Sequence, residues 1–252
     1  MSNFILEICA NSVESAIVAQ TGGAQRVELC ENINEGGTTP SYGAIQQARK
    51  ELSIDLNIIV RPRGGDFLYS EREFEIMCND IKMAKEFGVD GVVFGCLLPD
   101  GSVDVLRTKQ LVELSKPMKV TFHRAFDVST NPFKSLEDII ECGCSRILTS
   151  GQQNKAIAGT ELIKNLIAKA NERIIIMPGS GIDESNIEEI YHKTGAIEFH
   201  ASLRKVIKSK MGYKKEGVSM GGSTTLSEFE NLITDPERVK KTMEILNNLK
   251  NN

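Results

Sequence analysis

Short apolar runs recur along the chain, and each ends in polar, ionisable or glycine-rich residues. Lys119-Val120-Thr121-Phe122-His123-Arg124-Ala125-Phe126-Asp127 shows the form. Its first half is apolar and β-branched, which predicts a buried strand. Its second half carries a histidine, an arginine and an aspartate to the strand's carboxyl end. Eight such strands are predicted, at about 4–9, 25–30, 56–62, 90–95, 118–124, 145–150, 173–178 and 196–201. The amphipathic segments between and after them predict helices near 12–22, 41–52, 70–87, 104–115, 132–142, 157–171, 183–193 and 225–249. In the third, Ile76, Ile81 and Ala84 recur at helical spacing, and Ser70 with Glu73 reads as a capping box.

A strand-then-helix unit repeated eight times, at intervals of roughly 20 to 35 residues, predicts an α/β protein with a single (β/α)8 barrel over residues 1–252. The runner-up is an open doubly wound sheet, which usually carries a glycine-rich loop after its first strand. Here that strand ends Glu7-Ile8-Cys9-Ala10-Asn11-Ser12, without such a loop. The segment at about 203–224 is basic, then glycine-rich at Met220-Gly221-Gly222-Ser223, and has weak periodicity. It predicts an irregular loop on the carboxyl side of the strands.

Composition adds exclusions. With 40% hydrophobic and 25% charged residues and a net charge of −4, the chain reads as an ordinary globular protein without a basic patch for nucleic acid. No stretch approaches the roughly 20 apolar residues of a membrane span. The first residues enter a strand with no cationic start and apolar core of a signal segment. Cys9, Cys30, Cys78, Cys96, Cys142 and Cys144 are scattered, several of them inside apolar strands. That pattern suits a reducing cytoplasm and small buried side chains.

Candidate chemistry follows from parity, because successive strand residues face opposite sides. If Glu7 points inward, so do Ile5 and Cys9; with Glu28 go Arg26 and Cys30. The same count turns Ile59, Arg61 and Arg63, then Thr121 and His123, then Glu198 and His200, into the barrel. Purely structural layers of such barrels are usually filled by Val, Ile and Leu. Buried charges must pair with one another or bind something. The plain reading is a closed ion network that fixes register. The functional reading is a site at the carboxyl end, with Glu7, Glu28, Arg61, His123 and His200 as candidate catalytic groups.

Anion-binding candidates are Arg63, Ser150, Gly179, Ser180 and Gly181. Arg61-Pro62-Arg63-Gly64-Gly65-Asp66-Phe67 offers two guanidiniums suited to carboxylate or phosphate, although Asp66 could pair with either. Gly179-Ser180-Gly181 is expected to open the seventh helix and present main-chain N–H groups to an anion. His192 reads as a surface residue, and Cys142-Gly143-Cys144 as structural. Cys9 and Cys30, on neighbouring strands, could give two thiolates to a soft ion such as Cu(I). On geometry alone the plainer reading is two small core residues.

Arg26-Val27-Glu28-Leu29-Cys30, Gly36-Gly37-Thr38-Thr39-Pro40-Ser41, Arg61 to Phe67, Thr121 to Asp127, Leu148-Thr149-Ser150-Gly151 and Gly217-Val218-Ser219-Met220 together resemble the CutC family. The resemblance implies a TIM-barrel fold, a cytoplasmic location, a role in copper homeostasis and, in some members, Cu(I) binding through cysteine. Two classes of function therefore stand. One is copper binding or homeostasis; the other is an enzyme acting on a small anionic or phosphorylated metabolite. The expected partners are a small anionic ligand or a copper ion, without nucleic acid or membrane. Self-association into a homo-oligomer is left open.

Overall fold

The computed structural model describes residues 4–215, 217–218 and 227–249. Eight parallel strands are β1 Ile5–Ala10, β2 Arg26–Leu29, β3 Asp55–Ile59, β4 Gly91–Phe94, β5 Lys119–Phe122, β6 Arg146–Thr149, β7 Ile175–Pro178 and β8 Glu198–Ala201. They pair in the order β7-β6-β5-β4-β3-β2-β1-β8, and a parallel bridge between Gly179 and His200 brings β7 to β8. The ring thus closes as the predicted (β/α)8 barrel. Around it lie α1 Val13–Thr21, α2 Tyr42–Glu51, α3 Glu71–Glu86, α4 Val105–Ser115, α5 Pro132–Cys142, α6 Thr160–Ala170 and α7 Ile187–Thr194, with α8 Pro236–Leu249 last.

Local chemistry explains these boundaries. Ser12, Ser41, Asp104 and Asn131 each cap a helix by accepting a main-chain N–H in its first turn. Ser70 and Glu73 form the full capping box at the start of α3. Each such cap contributes about 1 kcal/mol. The outward strand residues, among them Leu6, Ile8, Val27, Ile58, Phe122 and Phe199, are fully buried in the apolar core. The helices meet that core with their own apolar faces, as Phe74, Met77, Ile81 and Ala84 do in α3. The inward face is the exception, with charged and polar residues at its centre.

The chain after β8 differs from the expected loop and long helix. Strand β9, Arg204–Lys208, pairs antiparallel with β10, Glu230–Thr234, and α8 begins at Pro236 rather than near 225. Four of the five β9 residues are exposed, so the strand has no apolar face for the sequence pattern to reveal. Residues 216 and 219–226, which include the Met220–Ser223 stretch, lie outside the described residues. The ribbon docks at the start of α1: Asn11 Nδ2 donates to Leu232 O at 3.2 Å, and Thr234 N donates to Ser15 Oγ at 3.2 Å. Among the described residues, no helix is long and apolar enough to cross a membrane.

Candidate functional site at the barrel mouth

A charged layer forms the floor of the site. Pairing sets Glu7 beside Arg26 on one side and His200 on the other. Arg26 bridges two carboxylates, donating from Nε to Glu7 and from Nη2 to Glu198. Arg146 Nε donates to the same Glu198 at 2.7 Å, and Asn57 Nδ2 donates to Glu7 at 3.1 Å. All of these groups are buried or nearly so, so each charge has a partner. This much is the closed network of the plainer expectation. Burial would raise the Glu7 carboxyl, but Arg26 and His200 overcome it and hold the group well below its usual range.

Above the floor, the strand tips bring unlike groups together. Cys9 Sγ and Cys30 Sγ lie 3.6 Å apart, both as free thiols. His200 binds Glu7 Oε1 through Nδ1 at 2.8 Å and turns Nε2 toward Glu28 Oε2, 3.5 Å away. A carboxylate on Nδ1 fixes the imidazole's orientation and leaves Nε2 for other work. Ligand atoms of Cys9, Glu28 and His200 all fall within 4.8 Å of one another, a spacing that one ion could span. Burial alone would lower His200, but Glu28, Cys9 and Glu7 raise it well above its ordinary value. Burial, only partly offset by His200, pushes Glu28 up to about 8. The Cys30 contact and then burial raise the Cys9 thiol well above the usual range.

A cavity of about 210 Å³ opens beside this cluster, lined by Cys9, Glu28, Gly36, Ile59, Arg61, Phe67, His123, Arg124, Leu148 and His200. A larger depression of about 470 Å³, around Asn171 and Gly195–Ile197, lies at the amino end of the strands. It gathers only Glu172 as an ionisable group. Arg61 donates to the carbonyls of Glu35, Gly37 and Gly65, at 2.7–2.9 Å, and sits over the Phe67 ring. Asp66 pairs with Arg63 rather than with Arg61, whose partners are main-chain oxygens that tie two loops together. Gly36 suits this approach, with φ +85° and a position at which a Cβ would lie only 3.1 Å from the guanidinium. His123 Nδ1 accepts from Ala125 N at 3.2 Å, which places the proton of the neutral ring on Nε2. Burial, with Arg61 nearby, pushes this imidazole down to about 3. Among the described residues neither His123 Nε2 nor Arg61 Nε has a hydrogen-bond partner, and both are buried. An unpaired buried donor typically costs about 1–3 kcal/mol.

The structure thus gathers Glu7, Glu28, Arg61, His123, His200, Cys9 and Cys30 at one end of the barrel and leaves other candidates apart. Arg63 is spent on Glu73 and Asp66, stacks on Tyr69 and does not line the cavity. Ser150 is occupied within the protein, because Asp127 accepts from Ser150 N, Gln152 N and Thr149 Oγ1. An internal carboxylate takes the place expected for an external anion. The turn at Gly179–Gly181 does not open a helix, since α7 begins at Ile187. Gly179 N donates to Thr149 O, Ser180 Oγ to Asn154 O, and Ala156 N to Ser180 O, which fastens the turn to the preceding loop. His192 is exposed on α7, as expected. Sequence reasoning missed Asn57, Arg146 and Phe67. The inward parity of β6 pointed to Arg146 and that of β3 to Asn57, while Phe67 stood in the quoted Arg61–Phe67 motif without a role.

The sequence pattern of the CutC family matches residues 4–205. A CutC family protein of Parabacteroides distasonis is 56% identical over 237 residues, covering 94% of this chain and 98% of that protein. A human copper homeostasis protein cutC homolog is 44% identical, covering 98% of this chain and 91% of that protein. A CutC crystal structure from Streptococcus agalactiae superposes with a TM-score of 0.76 at 35% identity, covering 79% of this chain and 98% of that one.

Proposed function

This chain belongs to the CutC family, and we propose that it serves in copper homeostasis in the cytoplasm by holding one Cu(I) ion on Cys9 and Cys30, with His200 Nε2 beside them. The observation that carries this reading is the 3.6 Å separation of the two sulfurs. With metal–sulfur bonds of about 2.3 Å, the value for zinc, two thiolates at that distance meet one ion at an angle of about 100°. Copper(I) is soft and selects thiolate and imidazole over carboxylate. That ranks Cys9, Cys30 and His200 as ligands ahead of Glu28. Glu28, its carboxyl pushed up to about 8, keeps its own proton near neutral pH and adds no charge beside the ion. Glu7, on the far nitrogen of His200, keeps the ring in place.

Because the Cys9 thiol is raised, the ion must displace its proton, and binding becomes pH-dependent. Each proton displaced makes the apparent affinity rise about tenfold per pH unit. The test is a Cu(I) titration of the reduced chain against a strong competing chelator, over a range of pH. One ion per chain is expected, with affinity rising with pH. Cys9→Ser and Cys30→Ser are each expected to weaken it at least tenfold. Unchanged affinity in both variants would exclude this site.

A further inference from the structure

Two features of the mouth cavity play no part in holding a copper ion. The first is the guanidinium of Arg61. It gives its two terminal nitrogens to main-chain carbonyls, and among the described residues no carboxylate forms an ion pair with it. A full positive charge thus stands in the cavity wall. The second is the pair of buried N–H groups, Arg61 Nε and His123 Nε2, that lack acceptors. Both groups pack on one ring: Arg61 Cζ is 5.1 Å and the His123 ring 4.9 Å from the centre of Phe67. One cation and two free donors at a shared wall call for a ligand with one negative charge and two acceptor oxygens.

Size and polarity narrow the class. A cavity of about 210 Å³ holds the volume of roughly seven waters. Its other walls include Ile59, Phe67 and Leu148, which suit a short apolar body. A phosphate group brings more oxygens and more charge than Arg61 and the two donors can serve, and the other cations lining the cavity, His200 and Arg124, already hold Glu7 and Asp127. After β6, Asp127 takes the N–H groups of loop 149–152, and after β7, Gly179 N donates to Thr149 O.

We propose that the mouth cavity binds a small monocarboxylate, whose two oxygens accept from Arg61 Nε and His123 Nε2 and whose apolar part lies against Phe67, Ile59 and Leu148. Cys9 and His200 of the copper site line the same cavity, but the carboxylate's two donors are not copper ligands, so the two readings can fail separately.

The experiment is calorimetric titration of the metal-free, reduced chain with acetate, propionate and butyrate, and with propionamide and inorganic phosphate as controls. Saturable one-to-one carboxylate binding at millimolar concentration is expected, with propionamide and phosphate at least about tenfold weaker. His123→Asn keeps an oxygen for Ala125 N, as a good capping residue does, and removes the Nε2 donor. It is expected to weaken the carboxylate at least tenfold while leaving the Cu(I) titration unchanged. A measurement on the wild type makes the proposal independent of that variant: the His123 Nε2 proton should move downfield in NMR as carboxylate is added. Absence of saturable carboxylate binding, phosphate binding tighter than propionate, or an unmoved His123 proton would each overturn the proposal.

Discussion

Glu7 and Glu28 stand on neighbouring strands and face the same imidazole, at 2.8 Å and 3.5 Å. Their surroundings drive them in opposite directions. Glu7 has Arg26 and Asn57 as well as His200, and its carboxyl is held well below its ordinary value near 4.5. Glu28 has burial with little to offset it and is pushed up to about 8. The signs for stability follow. The contribution of Glu7 is present above pH 4.5 and is lost as pH falls below it. Glu28 keeps a proton that the unfolded chain gives up, so it costs stability as pH rises from 4.5 to about 8, by up to about 1.4 kcal/mol per unit. Glu7→Gln is therefore expected to lose about 3–5 kcal/mol at pH 7, the scale for breaking a buried pair, with the deficit shrinking in acid. Glu28→Gln is expected to flatten the decline between pH 5 and 8. Urea denaturation of both variants across pH checks this, and parallel profiles for the two would contradict it. Strand parity made both carboxylates visible in the sequence as inward residues. Their opposite protonation was not visible, because it depends on Arg26 and Asn57 reaching Glu7 from two other strands.

At the scale of elements, the sequence announced whatever has one dry face. The eight barrel strands and the helices between them bury apolar residues, and their periodicity survives in the sequence. The β9–β10 ribbon buries little and was misread as loop and helix. Turn geometry was also hidden. The Gly179–Gly181 segment has the composition of an anion loop, yet α7 starts only at Ile187, and Ser180 takes φ +81° to reach Asn154 O. Two-stranded ribbons are marginal by themselves, so this one depends on its anchors. Ser15 is the inner anchor: it is fully buried, donates to Asn11 Oδ1 and accepts from Thr234 N. Ser15→Ala leaves that amide buried without an acceptor, at a cost of about 1–3 kcal/mol. Hydrogen exchange should then quicken in 204–208 and 230–234 while β1–β6 keep their protection. Equal quickening everywhere would show that the ribbon is not held at this point.

Across the whole molecule, the barrel has an uneven seam. Seven strand pairs share ladders, whereas β7 meets β8 through the single bridge from Gly179 to His200. The charged floor spans that gap. Glu198 on β8 accepts from Arg146 on β6 and from Arg26 on β2, so one carboxylate joins strands on both sides of the seam. The eightfold pattern told of a closed ring. It could not tell that closure would rest on side chains, since Arg26, Arg146 and Glu198 are far apart in sequence and meet only once the ring exists. The candidate site sits directly on this floor, with His200 serving both the seam and the proposed copper ligand set. Glu198→Gln leaves Arg146 without a carboxylate and Arg26 with Glu7 alone, and is expected to cost about 3–5 kcal/mol. Replacing Arg146 and Glu198 together by Met and Leu removes the pair across the seam and leaves Arg26 on Glu7. If the network serves stability alone, the double variant should recover most of the loss, because apolar replacements of buried ion networks are often neutral or stabilising. If it also sets the level of β8, the double variant should fold yet bind Cu(I) at least tenfold more weakly, since His200 and Glu7 would lose their fixed register. We expect the second outcome. Chelator-competed titration beside urea denaturation separates the two, and full stability with undiminished Cu(I) affinity would refute it.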